Sequence, residues 1–272
     1  MKQQTINVLH VFPELNAGLI KLLNEIAPED WENETCLKGR SVKDLVSHLV
    51  DTSLRRLAID RDGYFSTVPE INSHQDLVNF IQTQNNDWIV ATKRLSPKIL
   101  ISLLQSSGEE LTNFLMTLDP HGKALFPVDW AGESESENWF DIAREYTEKW
   151  HHQMQIRDAI GIEGELYEKK YFKPIIESFL KAIPNAYSKL NKSDFTLTIE
   201  ITGDCGGIYT LHKDSHSVSF ISPIQSENQV SIEQAEFCKL VTNSKPKDEV
   251  KIIARGDETI TSHFKTVVAV MS

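Results

Sequence analysis

Glu148 and His152 stand four residues apart in Tyr146-Thr147-Glu148-Lys149-Trp150-His151-His152-Gln153, a pattern that could do metal chemistry. On a helix, residues at i and i+4 lie about 40° apart on one face, near enough to share an ion. His151 points roughly 100° away from that face. His48 could add a third donor if its own helix faces this one. One carboxylate and two imidazoles suit Zn²⁺ best, with Ni²⁺ and similar borderline ions also accommodated. Such a set leaves a coordination position open, as catalytic rather than structural sites do. The same pattern also fits two solvated helix faces. On a helical wheel Glu148 and His152 share the polar side with Asp141, Glu145 and Gln155. The apolar arc holds Trp139, Ile142, Tyr146, Trp150, Ile156 and Ile160.

The elements that must position these residues are helical over the first 160 or so positions. Leu15, Leu19, Leu22 and Ile26 mark one helical face. Ser41-Val42-Lys43-Asp44 is a capping box that opens the His48 helix, with Val42, Val46, Leu49, Val50, Ser53 and Leu57 on its apolar side. A third helix begins near Ser73 and a fourth after Ser96-Pro97. The fifth runs from about Trp139 to Ile160 and stops at Gly161. Residues 119–137 form a long connection, either functional or a crossover that covers one end of the helices.

Beyond a linker at 162–168 the pattern predicts one more helix from Tyr171 to Tyr187, broken near Pro184. Phe195, Leu197, Ile199 and Ile201 then alternate with polar residues, the period of a half-buried strand. Further strands are expected at 208–212, around Val218 and Phe220, and at 250–254. Helices are expected from Ile232 to Val241 and at the end, with Ile260, Phe264, Val267, Val268 and Met271. The fold class is α+β: a helical bundle at 1–165, then a small α+β domain at 166–272.

Composition narrows the function classes. The 272 residues carry 28 basic and 39 acidic side chains, net −11. That balance excludes a nucleic-acid binder, whose affinity comes from Lys and Arg neutralising phosphates. It equally excludes a polybasic membrane-surface protein. No apolar run reaches the roughly 18 residues of a membrane span, and the N-terminal stretch lacks the apolar core of a signal peptide. Cys36, Cys205 and Cys238 are too few and scattered for a disulfide framework or a Cys-based zinc site. A cytoplasmic setting is expected.

Two segments resemble a known family. Trp31 and the run Gly39-Arg40-Ser41-Val42-Lys43-Asp44-Leu45-Val46-Ser47-His48-Leu49 resemble the opening of the DinB-like superfamily, in its maleylpyruvate isomerase branch. The segment from Trp139 to Gly161, with Glu148 and His152, is similar to the last bundle helix of that branch. The turns Gly203-Asp204-Cys205-Gly206-Gly207 and Arg255-Gly256-Asp257 resemble the sterol-carrier-like domain that often follows. The resemblance implies an up-and-down four-helix-type bundle binding a divalent metal through His48, Glu148 and His152. It also implies a low-molecular-weight thiol as cosubstrate, as in a mycothiol-dependent maleylpyruvate isomerase and in bacillithiol transferases. A metal-activated thiolate would then act as nucleophile in S-transfer or isomerisation of a small molecule.

The match is incomplete at one point. The isomerase branch implies a basic residue that holds the substrate carboxylate, and the third helix here offers Gln82, Gln84, Asn85, Asn86 and Asp87 instead. Maleylpyruvate is therefore not the expected substrate. Asn85 and Arg56 are the candidate catalytic residues, with Arg55, Arg157 and Trp88 as other pocket candidates. Cys36 lies five residues before Ser41, too far from the helix start for a clear catalytic role. The alternatives to an enzyme are a non-catalytic metal- or small-ligand-binding protein and a hydrophobic-ligand carrier acting through the C-terminal domain. The oligomeric state is open, a homodimer included.

Overall fold

A computed structural model describes residues 5–66, 70–162 and 164–270. The helical part contains α1 (Phe12–Glu25), α2 (Val42–Arg56), α3 (His74–Thr92), α4 (Pro97–Leu115) and α5 (Asn138–Ala159). The start signals read from sequence are made as hydrogen bonds. Ser41 Oγ accepts from the Asp44 amide at 3.3 Å, and Asp44 Oδ2 accepts from the Ser41 amide at 3.2 Å. Ser73 and Ser96 cap α3 and α4 in one direction only, their hydroxyls accepting from the Asp76 and Ile99 amides. α5 ends where Gly161 turns left-handed at φ 70°, a conformation that glycine adopts without steric cost.

α2 packs against α3, α4 and α5, and α1 packs against α4 and α5. Trp31, Val42, Leu45, Val46, Leu49, Leu100, Leu104 and Ile156 form a compact core among them. The connection at 119–137 is tied down at both ends. The Asn138 amide donates to Gly122 O at 2.9 Å and the Ala124 amide to Ser136 O at 2.8 Å. Its middle is held by Asn185 Nδ2 donating to Trp130 O at 2.9 Å.

The predicted helix at 171–187 is two: α6 (Lys169–Leu180) and α7 (Ala182–Ser188). Pro184 falls in the first turn of α7, where a missing N–H costs nothing. The strands are β1 (Phe195–Thr202), β2 (Gly207–Lys213), β3 (Val218–Ile221), β4 (Asn228–Glu233) and β5 (Ile252–Arg255). They form one mixed sheet in the order β3-β2-β1-β4-β5, with β1 and β4 parallel and every other pair antiparallel. At the β1–β2 turn, a Cβ on Gly206 would stand 1.8 Å from Ile201 O, so only glycine fits.

Two sequence expectations are corrected here. Ile232 belongs to β4, and the helix α8 begins only at Gln234 and ends at Val241. Val230 and Ile232 are too short a period-two run to separate from the helical pattern that follows. The terminal helix is likewise short: α9 (Glu258–Ser262) and a 3₁₀ turn at His263–Thr266. Val267 is extended, and the Ala269 amide donates to Val241 O at 2.8 Å. The paired β-branched Val267 and Val268 favour that departure from helix. Met271 lies outside the described residues.

The alternating face of β1 buries Phe195, Leu197, Ile199 and Ile201. The core they join runs without a break through Phe172, Ile175 and Phe179 of α6 to Tyr146 and Trp150 of α5 and Phe12 of α1. Trp150 stacks on Phe172 with centroids 5.1 Å apart, and Tyr146 donates to Tyr171 O at 3.0 Å. The change in secondary structure after α5 is thus no break in the core.

Candidate metal centre

α5 is wrapped by α1, α2 and α6, so even its polar side is buried. Asp141, Glu145, His152 and Gln155 are 0%, 4%, 6% and 3% exposed, which rules out the solvated-face reading for that side. Burial of polar groups requires partners: Asp141 pairs with Arg56 of α2 and Arg144 of α5, Gln155 donates to Ser244, and Glu145 stands 3.9 Å from Lys149 on its own helix.

His48, Glu148 and His152 come together between α2 and α5. His48 Nε2 and His152 Nε2 each lie 3.1 Å from the same atom, Glu148 Oε1. One donor atom from each residue falls within 4.8 Å of the others. The two rings meet edge to face, with centroids 4.8 Å apart. His48 and His152 are nearly closed off from solvent, while the Glu148 side chain keeps 27% of its exposure and marks the open side.

Hydrogen bonding determines what these donors can hold. His152 Nδ1 is 2.7 Å from Gln155 Oε1, an oxygen that can only accept. Nδ1 therefore carries the proton, and in the neutral ring Nε2 presents a lone pair to Glu148. A nitrogen lone pair beside a buried carboxylate oxygen is favourable only with a proton or a cation between them, and His48 Nε2 approaches the same oxygen from α2. The donor set thus fits a divalent ion. Donors bound at about 2.1 Å in a tetrahedral shell are about 3.4 Å apart, close to the 3.1 Å contacts.

The electrostatics follow from burial and proximity. Burial pushes the His48 pKa down, against the opposing pull of Glu148. Burial alone would raise Glu148, but the imidazoles of His152 and His48 outweigh it and hold the carboxyl well below its ordinary range. His151 is pushed down to about 3, by burial first and then by the neighbouring His152. Its Nδ1 is 2.9 Å from Thr147 O, one turn back on α5, so that nitrogen is used by the helix backbone, while the ring lies against His152 with centroids 4.1 Å apart.

The other candidates fall into two places. Asn85 Oδ1 accepts from Arg55 at 3.0 Å, and Arg55 Nε pairs with Asp51 at 3.1 Å. Arg55 and Asp51 share the His48 face of α2, at i+7 and i+3. Arg56 is instead committed to Asp60 at 2.8 Å and Asp141 at 2.5 Å. Asp141 lies seven residues from Glu148, about 10 Å along α5. Trp88 donates to Ser47 O at 2.9 Å and packs in the core of the helices. The Cys36 thiol is pushed up by desolvation, opposite to an activated nucleophile. Arg157 is buried, and desolvation pushes its pKa down against the pull of Glu165.

Asp51 was not read from the sequence as part of this region, and Gln155 only as a member of the polar side shared with Glu148 and His152. Each stands three residues beyond a histidine, on its face, and that spacing was the available signal.

No curated protein matches the sequence. The fold is similar to the crystal structure of the mycothiol-dependent maleylpyruvate isomerase, with TM-score 0.57 and 13% identity over 90% of each chain. A point mutant of that enzyme gives TM-score 0.55, again at 13% identity and 90% coverage of both chains. A profile described as the mycothiol maleylpyruvate isomerase N-terminal domain matches residues 12–157, from α1 to the last turn of α5, and the chain belongs to that family.

Proposed function

We propose that His48, Glu148 and His152 hold one divalent metal ion, with Zn²⁺ preferred over Ni²⁺. On this reading the protein is a low-molecular-weight-thiol-dependent S-transferase or isomerase acting on a small electrophile. The observation that carries it is the pair of imidazole nitrogens converging on one carboxylate oxygen, with the His152 lone pair forced towards the shared point. The ion, when bound, would supply Lewis acidity at its open coordination position and lower the pKa of a thiol held there.

The chain's own residues supply the rest. Glu148 compensates the positive charge and, through its exposed edge, leaves the approach to the donors open. Arg55 presents a guanidinium beside that approach, partly balanced by Asp51 and oriented by Asn85. An anionic group on the substrate would be drawn towards it. His151, neutral in its buried position, brings no competing positive charge next to the ion.

Elemental analysis of the purified protein tests the site. About one transition-metal ion per chain is expected, and less than a tenth of that in folded His48→Ala or His152→Ala. Metal content unchanged in both variants would refute the site. Activity is tested with mycothiol, bacillithiol, glutathione and coenzyme A against electrophilic acceptors. Metal-dependent consumption of one thiol is expected. Metal binding without consumption of any of them would favour a non-catalytic binding protein.

A further inference from the structure

The hydrogen bond that orients His152 does not end at Gln155. Gln155 Nε2 donates to Ser244 Oγ at 3.0 Å, and Ser244 lies beyond α8 in the sheet-bearing part of the chain. Ser244 Oγ is 2.9 Å from Thr242 Oγ1, which donates to Cys238 O at 2.8 Å.

A backbone carbonyl can only accept, so it sets the direction of the whole series. Thr242 spends its single proton on Cys238 O, and its oxygen accepts from the Ser244 hydroxyl. Ser244 Oγ is then free to accept from the Gln155 NH₂ group. That orients the amide with Oε1 towards His152, so Nδ1 bears the proton and Nε2 the lone pair. The Cys36 thiol also reaches Ser244, but a thiol is a weak donor and acceptor and does not reverse this order.

The local fold delivers Ser244 to that position. Thr242 caps α8, Asn243 turns left-handed at φ 52°, and Ser244 follows. The Ser244 amide donates to Lys239 O at 3.0 Å and the Asn243 amide to Leu240 O at 3.3 Å. These are the two bonds of a Schellman motif, with asparagine in the place that glycine usually takes. The residue that follows the left-handed position commonly makes an apolar contact with the helix. Here it is a serine hydroxyl aimed at α5.

We propose that Gln155 and Ser244 are positioning residues for the metal centre, and that the turn after α8 sets the tautomer and direction of His152. The sheet-bearing part of the chain thereby completes a site whose donors all come from α2 and α5. This rests on the His48/Glu148/His152 reading.

The test measures Zn²⁺ affinity by competition with a chromogenic chelator, together with the visible spectrum of the Co²⁺-loaded protein. Gln155→Leu is expected to weaken Zn²⁺ binding by about 10- to 100-fold and to shift the Co²⁺ bands. Ser244→Ala, a half-buried change that leaves α8 capped through its backbone, is expected to weaken binding at least threefold with native circular dichroism. Gln155→Glu keeps an oxygen acceptor for Nδ1–H, so its affinity should stay within about threefold of wild type. A role in packing alone predicts equal loss in Gln155→Leu and Gln155→Glu, and that result overturns the proposal. Wild-type affinity in Ser244→Ala also overturns it, even if Gln155→Leu fails to fold. When His48→Ala abolishes binding and these variants do not change it, only this inference falls. A wild-type protein that takes up no Zn²⁺ removes both readings.

Discussion

The charged residues buried on α5 two turns before the candidate metal ligands do work of a different kind. Asp141 is fully buried between Arg144, at 2.9 Å from its Nε, and Arg56. Burial alone would raise its pKa, but the two guanidinium groups outweigh that and hold it below the ordinary value of 3.8. A carboxyl with a depressed folded pKa contributes stability above its unfolded pKa and loses it as pH falls through the folded one. The Asp141 contribution is therefore complete at neutral pH and disappears progressively below about pH 4. Asp141→Asn should cost about 3–5 kcal/mol at pH 7, because it leaves two buried cations under-compensated. Urea unfolding of the metal-free proteins checks this, and the gap to wild type should narrow near pH 3. A constant gap across that range would show that the carboxylate charge is not what matters.

At the scale of the element, α2 carries the one donor that does not come from α5. Its register is set at the N-terminus by the reciprocal Ser41–Asp44 bonds and along its length by Val42, Leu45, Val46 and Leu49 in the core. Ser41→Ala should lower stability by about 1 kcal/mol, and hence Tm by about 2–4 °C in the metal-free protein. Ser41→Asp retains an acceptor at the cap and should restore most of the loss. Differential scanning calorimetry of the three proteins distinguishes them. α5 is the opposite case: it ranks as amphipathic on a wheel, yet it is buried nearly all round. Its Lys149 donates to Ser53 at 2.8 Å and its Gln153 to Leu15 O at 3.0 Å. Polar partners from α1 and α2 make such a helix possible, and those partners are remote in sequence.

For the whole molecule, the main core joins α1 and α5 to α6 and the sheet. The division near residue 165 follows the change of secondary structure, while the packing of Trp150 on Phe172 passes across it. One cooperative transition is therefore expected, with far-ultraviolet circular dichroism and tryptophan fluorescence giving the same midpoint. Two separated transitions would mean that the helical and sheet-bearing parts unfold independently. No helix among the described residues is long and apolar enough to cross a membrane, in keeping with the absence of such a run in the sequence.

Local interactions made much of this legible in advance. The caps at Ser41, Ser73 and Ser96, the stop at Gly161, the alternation of β1 and the i,i+4 spacing of Glu148 and His152 depend on neighbours a few residues away. The α+β class followed from them. The β4 strand and the extended end at Val267 were not legible, because pairing with β1 and docking on α8 override weak local preference. Convergence of His48 with Glu148 and His152 was also undecided, since two polar stripes read alike whether they face water or each other. Only packing of α2 against α5, one hundred residues apart at the His48–Glu148 contact, removed that ambiguity. The Gln155–Ser244 link is more distant still: it exists because the cap of α8 is laid against α5 by a shared core, and no spacing in the sequence encodes it.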